Sequence, residues 1–343
     1  MHYDYLAYIG RFQPFHNGHF EVLRKALKFS AKVIVVPGSA QRPRTIKNPW
    51  TVAERNVMIS ACFPEETAAG RILLAPVIDR AYNDQQWSAG VQQAVESAIA
   101  RDGGKPDAKV GLIGHSKDGS SYYLRLFPQW ELVEAPNIAG LSASDIRRYY
   151  FENSDLLVQS AVPSAAFEFM ASFRQTPMYA ALREEHVFIT AYRGQFKDLK
   201  YPPIFVTVDA VVVQSGHVLM IRRGAQPGAG LWALPGGFLR GEERIADAVI
   251  RELREETRLK VPEPVLRGSI KGERVFDHPD RSLRGRTITH AFLLELAEGP
   301  LHPVKGGDDA AKARWVPIAH LLEMDEEVFE DHLDIVRYFL GRV

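Results

Sequence analysis

The sequence predicts an α/β chain of two domains, and three observations support that prediction. With 343 residues the chain is long for a single hydrophobic core. Over roughly the first 150 residues, apolar runs of strand length alternate with helical patterns, which is typical of a doubly wound, mainly parallel sheet. After Pro202-Pro203 a new β-rich pattern begins at Ile204. We therefore expect a first domain at 1–185, a linker at 186–203 and a second domain at 204–343.

Composition limits the classes of partner. Lys plus Arg and Asp plus Glu are both 42, so the formal net charge is zero and no basic field for nucleic acid or an anionic membrane is expected. A single cysteine, Cys62, excludes an internal disulfide framework and favours a cytoplasmic location. We expect no signal peptide, and no window reaches the ~20 apolar residues of a membrane span.

The first strand–turn–helix unit contains the most informative segment, 10–19. A strand at Tyr5–Ile9 precedes it, and an amphipathic helix beginning near Gly18 follows it. Two histidines at a helix start, with the helix N–H groups beside them, suit a polyphosphate, because the helix dipole favours negative charge there. The alternative is an ordinary turn with two surface histidines.

Strands and helices alternate through the rest of the first domain. The loop at 38–49 is basic, Thr51 and Glu54 form a capping box, and Asp84 is expected to cap a helix that ends near Arg101. Further strands are expected at Val33–Val36, Ile72–Ile78 and Val110–Ile113. Ligands of such sheets bind beyond the carboxyl ends of the strands, where the loops after Gly10, Gly38 and Gly114 should converge.

A second phosphate-binding candidate is Leu141-Ser142-Ala143-Ser144-Asp145-Ile146-Arg147. Ser144 is expected to cap a helix, with Arg147 one turn further in. An ordinary capped helix with a solvated arginine is the equal alternative for this segment taken alone.

The two segments together resemble known signatures. Residues 10–19 follow G-x-F-x-P-x-H-x-G-H, and 141–147 resemble I-S-x-T-x-x-R with Leu141 and Ser144 substituted, as in the nucleotidyltransferase superfamily of Rossmann-like folds. The finer resemblance is to archaeal-type nicotinamide mononucleotide adenylyltransferases. It extends to segments 38–41, 48–51 and 54–55, to Tyr82-Asn83-Asp84 and to Trp87.

That resemblance implies transfer of the adenylyl group of ATP to nicotinamide mononucleotide (NMN), giving NAD and pyrophosphate with magnesium or manganese. The NMN phosphate is itself the nucleophile, so alignment and charge neutralisation suffice. The implied catalytic residues are His16, His19, Arg11 and Arg147. The implied phosphate-binding residues are Gly10, Phe12, Gly18, Ser142 and Ser144, and the implied NMN-binding residues are Trp87, Asn83 and Arg55. For Trp87, packing in a core is the alternative.

Helices are expected from Phe151 to about Lys200, and a β-hairpin pairs 204–213 with 217–222. Within the second domain, the pattern Gly237-x5-Glu243-x7-Arg251 leads into a helix with Glu252, Glu255 and Glu256 on one face. Three carboxylates so close together suit magnesium or manganese. A solvated acidic helix face is the alternative for the carboxylates taken alone.

The full spacing resembles the Nudix box, G-x5-E-x7-R-E-U-x-E-E-x-G-U, where U is aliphatic. The resemblance implies an α/β/α Nudix fold with a mixed sheet, and metal-dependent hydrolysis of a nucleoside diphosphate linked to another moiety. The implied ligands are Gly236 (through its carbonyl), Glu252, Glu255 and Glu256, supported by Glu243 and Arg251. Asp308 or Asp309 could complete the site, or form only a polar turn.

One departure from the box is Arg258, which stands where the second glycine ends the catalytic helix in a left-handed conformation. Strain is expected there, and a domain that binds a pyridine nucleotide without hydrolysing it is the alternative. Segment 227–238 resembles Nudix proteins that act on ADP-ribose.

The sequence thus predicts a bifunctional enzyme of NAD metabolism, which makes NAD and hydrolyses ADP-ribose to AMP and ribose 5-phosphate. The alternative for the first domain is an adenylyltransferase or cytidylyltransferase for another phosphate substrate. Oligomeric state, including a homo-oligomer, the choice between nicotinamide and nicotinate mononucleotide, and coupling between the domains stay open.

Overall fold

The computed structural model describes residues 2–114, 124–135, 142–308 and 310–341. The chain divides into two compact units, Met1–Arg183 and Glu184–Val343. None of the helices in those described ranges is long and apolar enough to cross a membrane.

The first unit contains a parallel five-stranded sheet in the order β3-β2-β1-β4-β5, counted over the described residues. Its strands are β1 (Tyr3–Gly10), β2 (Ser30–Pro37), β3 (Ile72–Leu74), β4 (Val110–Gly114) and β5 (Glu131–Glu134). Its helices are α1 (Asn17–Phe29), α2 (Val52–Cys62), α3 (Pro64–Ala68), α4 (Asp84–Arg101), α5 (Ala143–Phe151), α6 (Asp155–Ala161) and α7 (Ser164–Phe173). Helix α8 (Pro177–Gly194) crosses the division between the units.

Both faces of this sheet are covered, which confirms the predicted doubly wound architecture. Leu6 and Tyr8 of β1 pack in one core with α1, whereas Tyr5 and Ala7 pack in another with α4, because successive side chains of a strand point to opposite faces. The strand order reverses between β1 and β4. The segment that follows Gly10 therefore begins at the topological switch point, where α/β sheets bind ligands.

Two local predictions differ from the structure, and one strand was not predicted. Strand β3 ends at Leu74 rather than Ile78, and Pro76, which lacks an N–H, follows soon after. Asn83, not Asp84, caps α4, because its side chain accepts the N–H of Gln86. Strand β5 lacks a strong apolar run and was not predicted from the sequence.

The second unit has a seven-stranded mixed sheet over the described residues, as predicted. The order β10-β11-β6-β7-β12 forms its main path, β8 pairs with β7, and β9 pairs with β6. Only β6 and β11 are parallel neighbours among these pairs. The strands are β6 (Phe205–Gln214), β7 (His217–Arg223), β8 (Trp232–Ala233), β9 (Gly236–Phe238), β10 (Ile270–Phe276), β11 (Thr287–Glu295) and β12 (Ala310–Pro317). The helices are α9 (Ile245–Thr257), α10 (Glu263–Gly268), α11 (Ile318–Leu321) and α12 (His332–Phe339).

Strand β6 separates two different environments. Val208, Ala210 and Val212 share a hydrophobic core with the buried face of α9. Asp209 points to the other face, where His332 at the start of α12 lies near it. The acidic helix and α12 therefore cover opposite faces of this sheet.

Candidate active sites

The two histidines of the first unit cap the helix that they begin. His16 is the N-cap of α1, and its Nδ1 accepts the N–H groups of Gly18 at 3.1 Å and His19 at 3.4 Å. His19 Nδ1 accepts the His16 N–H at 3.3 Å, which completes a capping box made of two imidazoles. The rings stack with their centroids 3.7 Å apart. A neutral imidazole whose Nδ1 accepts a hydrogen bond carries its proton on Nε2, so each ring has Nε2–H as a donor.

Glycine is required at position 18 by this arrangement. A Cβ there would lie 2.9 Å from His16 Cε1 and 3.0 Å from its Nδ1. Phe12 supports His19 from the protein interior. It is 1% exposed, and its ring packs edge-on against His19 with the ring centroids 4.9 Å apart. Phe12 therefore positions the histidine through its ring, and its expected part in phosphate binding stays a prediction. A Cβ on Gly10 would meet that ring at 2.9 Å.

Arg147, on α5, contacts this segment although it lies 134 positions from Gln13 in the sequence. Its Nη1 donates to the carbonyl of Gln13 at 2.6 Å, and its Nη2 donates to Ser144 Oγ at 3.0 Å. Burial, and then the charge of nearby Arg11, lowers the pKa of Arg147 to about 10. The guanidinium groups of Arg11 and Arg147 are thus close enough to repel each other, an arrangement that a polyanion would stabilise.

The structure places the helix cap at Ser142 and not at Ser144, where it was expected. Ser142 is the N-cap of α5 in extended backbone, and it accepts the Asp145 N–H at 3.5 Å. Ser144 lies inside the first turn and holds Arg147. The predicted cap was two residues too late. Leu141, the first residue of the predicted motif, lies outside the described residues.

Arg55 is a structural tie in this unit. It is 1% exposed, and its Nη1 donates to the carbonyls of Arg11 and Gly38, both at 2.7 Å. Burial lowers the pKa of Arg55 to about 10, opposed by the charge of Asp79. The side chain joins the two loops at the sheet edge. Its expected contact with the mononucleotide stays a prediction.

The other two residues expected to bind the mononucleotide lie at the start of α4. Asn83 caps the helix, and Trp87 packs against Phe127 at 5.9 Å in a half-buried position. Stacking of Trp87 on a base therefore stays a prediction. Sequence reasoning missed Gln13, which is 1% exposed and exchanges two hydrogen bonds with the backbone of Trp50. It is an unspecified position of the motif, so no signal marked it.

In the second unit, Arg251 is the centre of the acidic cluster. It forms a bidentate pair with Glu243 at 2.6 and 2.8 Å, and its Nη1 also donates to Glu252 at 2.6 Å and Glu255 at 3.0 Å. Hydrogen bonds from Arg251 lower the pKa of Glu243 to about 2 despite some burial. Glu243 and Arg251 therefore fix the start of α9 to the loop before it.

Glu256 is the most buried carboxylate on the acidic face of α9. It is 6% exposed, and its Oε2 accepts the Gly236 N–H at 2.8 Å. Burial raises the pKa of Glu256 to about 8, because the single hydrogen bond from Gly236 does not compensate for lost solvation and for the charge of Glu252. Burial also raises the pKa of Glu252. For both carboxylates the loss of solvation outweighs the nearby positive charges, which are Arg251 for Glu252 and Arg223 for Glu256.

The loop opposite them is shaped by two glycines. A Cβ on Gly236 would lie 2.1 Å from the Val208 carbonyl, and one on Gly237 would lie 2.6 Å from Glu252 Oε1. Only glycine therefore allows the backbone at residue 236 to lie against β6 and the backbone at residue 237 to lie against Glu252. The carboxylate and carbonyl oxygens here are hard donors, which a divalent cation prefers as ligands.

In the ranges that the structure describes, no three His, Cys, Asp or Glu side chains are already grouped to hold a metal. The contacts above give the reason. Arg251 Nη1 bonds both Glu252 and Glu255, while Glu256 is turned to Gly236. A cation would have to replace these partners.

Helix α9 ends as the sequence predicted. Arg258 has φ 50° and ψ 30°, the left-handed conformation that favours glycine. The loop at 305–307 binds the end of the helix, with the N–H groups of Lys305 and Gly307 donating to the carbonyls of Thr257 and Glu256. Asp308 follows directly, exposed and with φ 47°, so it lies beside the end of α9. Asp309 lies outside the described residues.

Comparison with known proteins identifies relatives of each unit. Residues 7–149 match the family model described as cytidylyltransferase-like, and residues 203–339 match the NUDIX domain. A nicotinamide/nicotinic acid mononucleotide adenylyltransferase of Acinetobacter baylyi is 42% identical over 54% of this chain and 94% of its own length. An ADP-ribose pyrophosphatase of Methanocaldococcus jannaschii is 34% identical over 37% of this chain and 72% of its own.

One solved structure is similar along the whole chain. The crystal structure of a bifunctional NMN adenylyltransferase/ADP ribose pyrophosphatase from Francisella tularensis is 34% identical, covers 99% of both chains and superposes with a TM-score of 0.91. A second structure of the Francisella protein, complexed with AMP and a manganese ion, is 32% identical over the same 99% of both chains, with a TM-score of 0.89.

Proposed function

Because this chain belongs to the family of bifunctional NMN adenylyltransferase/ADP-ribose pyrophosphatases, we propose that it carries one active site in each unit. The first unit transfers the adenylyl group of ATP to NMN, and the second hydrolyses ADP-ribose. Magnesium or manganese serves both sites, and the substrates and products are those of cytoplasmic NAD metabolism. The domain boundaries that we propose are 1–185 and 204–343, joined by 186–203.

The hydrogen bond from Arg147 to the carbonyl of Gln13, three residues before His16, supports the first activity. A phosphate oxygen of NMN attacks the α-phosphorus of ATP, a new P–O bond forms, and the bond to pyrophosphate breaks. His16 and His19 donate Nε2–H groups to the phosphates, and Arg11 and Arg147 stabilise the negative charge on the departing pyrophosphate. The chain needs no nucleophile of its own, because the mononucleotide supplies it.

The buried carboxylates opposite Gly236 support the second activity. Glu252, Glu255, Glu256 and the Gly236 carbonyl would hold a divalent cation, whose positive charge polarises the pyrophosphate and activates water. Glu243 and Arg251 orient this helix and its loop. We propose Asp308, which lies at the end of α9, as the late acidic residue of the site. The water oxygen forms a new P–O bond to one phosphorus of ADP-ribose, and the bond from that phosphorus to the bridging oxygen breaks. The products are AMP and ribose 5-phosphate.

The first activity is tested with purified protein, ATP, magnesium and NMN. Release of pyrophosphate with formation of NAD is the expected result. A panel that replaces NMN by nicotinate mononucleotide, pantetheine phosphate, flavin mononucleotide and alcohol phosphates defines the acceptor. Absence of pyrophosphate with NMN, but release with another acceptor, would reassign the substrate.

The second activity is tested with Glu255→Gln and Glu256→Gln. Each change removes a charged ligand and keeps the side-chain shape, so each should reduce AMP formation from ADP-ribose by at least ~10²-fold. Glu298→Gln, at an exposed position far along the chain, is the matched control and should retain the wild-type rate. Unchanged rates in both ligand variants would refute the assignment of the metal ligands.

A further inference from the structure

A group of buried polar side chains lies on the face of the second sheet opposite α9. Its members are each less than 9% exposed and include two carboxylates, a guanidinium, a hydroxyl and an imidazole. They are Asp209, Arg281, Thr289, Asp331 and His332. None of them belongs to the acidic pattern of α9, and none contributes to the chemistry described above. Burying so many polar groups is costly unless each is held by a specific partner.

The partners within this group are well defined. Arg281 forms a bidentate pair with Asp331 at 2.9 and 3.0 Å, and Asp209 Oδ2 accepts the Thr289 hydroxyl at 2.6 Å. Arg281 also lies 3.8 Å from Asp209. Strands β6 and β11, residue 281 and the start of α12 are therefore fixed to one another by charge-assisted contacts.

This group reaches the loop that carries the proposed metal ligand Gly236. His332 Nδ1 accepts the Leu234 N–H at 2.9 Å, and Leu234 is 1% exposed. Asp209 lies directly against Gly236, because a Cβ there would be 2.7 Å from Asp209 Oδ1. Gly236 in turn donates its N–H to Glu256. A short series of contacts thus connects α12 with the buried carboxylate on the opposite side of the sheet.

We propose that His332 is a positioning residue for the divalent-cation site of the hydrolase unit, acting through the Leu234–Gly236 segment; the inference rests on the proposed function of that unit. His332 touches neither substrate nor cation. It satisfies a buried N–H that would otherwise lack an acceptor, and so fixes the distance between Gly236 and Glu256. Burial lowers the pKa of His332, which agrees with a neutral ring that accepts at Nδ1.

The test uses the full-length protein and manganese alone as the probe. Binding of Mn²⁺ is followed by electron paramagnetic resonance of the free ion, and the difference between wild type and Glu256→Gln defines the binding at this site. His332→Ala should raise the dissociation constant for Mn²⁺ about tenfold, which is the usual effect of removing a residue that holds a metal ligand in place. His332→Asn should restore it to within about threefold, because the Asn oxygen stands at the distance of Nδ1 from the backbone.

Two further variants separate positioning from general packing. Leu333→Ala removes a buried side chain from the same helix and should lower the thermal midpoint without changing Mn²⁺ affinity. If His332→Ala does not fold, His332→Gln replaces it, because its oxygen stands at the distance of Nε2 and should not restore the contact that Asn restores. Adenylyltransferase activity of the first unit, measured on each variant, verifies that the protein is intact.

Wild-type affinity in His332→Ala would overturn the inference, as would an equal loss in Leu333→Ala or His332→Asn. Absence of Mn²⁺ binding at this site in the wild type would overturn it too. Failure of the proposed function looks different. In that case the wild type and the His332 series show the expected Mn²⁺ affinities, yet ADP-ribose is not hydrolysed.

Discussion

In both His16 and His19 the ring atom Nδ1 accepts backbone N–H groups at the start of α1. Because both Nδ1 atoms accept backbone N–H groups, the same contacts that start α1 also determine the tautomer. The helix start, with its N–H groups and positive dipole end, then presents two Nε2–H donors on stacked rings. One capping box thereby accounts for the spacing of the two histidines.

Substitution of His19 separates these two uses. His19→Asn keeps an acceptor near the position of Nδ1 and removes the Nε2–H, whereas His19→Ala removes both. We expect pyrophosphate release to fall about 10²-fold in both variants, since one donor to the transition state is lost. His19→Asn should keep the wild-type thermal midpoint, and His19→Ala should lower it modestly because the cap is lost. The measurements are initial rates and thermal unfolding.

A wild-type rate in His19→Asn would contradict the donor role of His19. His320, exposed on α11, provides the control, and His320→Asn should leave both the rate and the midpoint unchanged.

Glu256 makes the stability of the metal-free protein depend on pH. Its pKa is about 8 in the folded chain, against an ordinary value of 4.5. Between these pH values the unfolded state binds fewer protons than the folded state, so the free energy of unfolding falls as pH rises. Stability from this group is complete below pH 4.5 and is lost as pH rises through about 8.

Glu256→Gln should therefore stabilise the metal-free protein at about pH 8, by on the order of 2 kcal/mol, while abolishing hydrolysis. Denaturant unfolding in the presence of a chelator, at about pH 5 and about pH 8, measures the effect. The gain should shrink at the lower pH and also when Mn²⁺ is added to the wild type. A Glu256→Gln variant that is less stable than wild type at both pH values would show that burial does not destabilise the ionised carboxylate of Glu256.

At the scale of elements, α9 combines a predicted pattern with a predicted strain. Its apolar and acidic positions have helical spacing, and Arg258, the residue directly after the helix, adopts the left-handed conformation for which glycine is the usual choice. Side chains in that conformation cost roughly 1 kcal/mol relative to glycine. The strain is confined to one residue beyond the three carboxylates, so it does not remove any proposed ligand.

Arg258→Gly should raise the thermal midpoint by about 2 to 4 °C, as relief of roughly 1 kcal/mol would in a unit of this size. ADP-ribose hydrolysis should stay within about twofold of wild type, because the carboxylates do not change. Differential scanning calorimetry and an AMP assay test both outcomes. A lower midpoint would mean that contacts of Arg258 with the Gly307 loop outweigh the backbone strain.

Several elements could be predicted because their signals are local. The Thr51–Glu54 capping box and the apolar spacing of α9 determine structure within a few residues, and both predictions are confirmed. The missed caps at Asn83 and Ser142 are errors of one or two residues between adjacent polar side chains that can each cap a helix. Local signals do not distinguish between such neighbours.

Contacts between distant residues were out of reach. Arg147 meets the carbonyl of Gln13 across 134 positions, and His332 meets Leu234 across 98. Neither pair has a pattern in the sequence, because the backbone atoms that they bind look the same at every residue. For the same reason the sequence did not reveal that Arg55 is buried among carbonyl groups.

At the scale of the whole molecule, the second unit begins before the region that matches the NUDIX family. Phe188 stacks on Tyr192, and the rings of Tyr192 and Phe196 pack on Phe205 at the start of β6. Phe205 then contacts Phe238 at the end of β9, the strand that precedes the acidic helix. The end of α8 therefore supports the hydrolase fold, although the family match starts at residue 203.

The two proposed reactions belong to one metabolite pool, since ADP-ribose is what remains when NAD loses nicotinamide. Each unit has its own hydrophobic core and its own proposed active-site residues, and the two proposed sites share no residue. Loss of one activity should therefore leave the other intact in the same polypeptide.

The most direct test is one assay of both reactions on the intact protein, with ATP, NMN, ADP-ribose and magnesium present, in wild type, His19→Asn and Glu256→Gln. Pyrophosphate and ribose 5-phosphate report the two reactions separately. We predict both products from the wild type. His19→Asn should form pyrophosphate about 10²-fold more slowly with ribose 5-phosphate unchanged, and Glu256→Gln should form ribose 5-phosphate at least ~10²-fold more slowly with pyrophosphate unchanged. A wild type that forms neither product, or a single substitution that abolishes both, would contradict an enzyme with one active site in each unit.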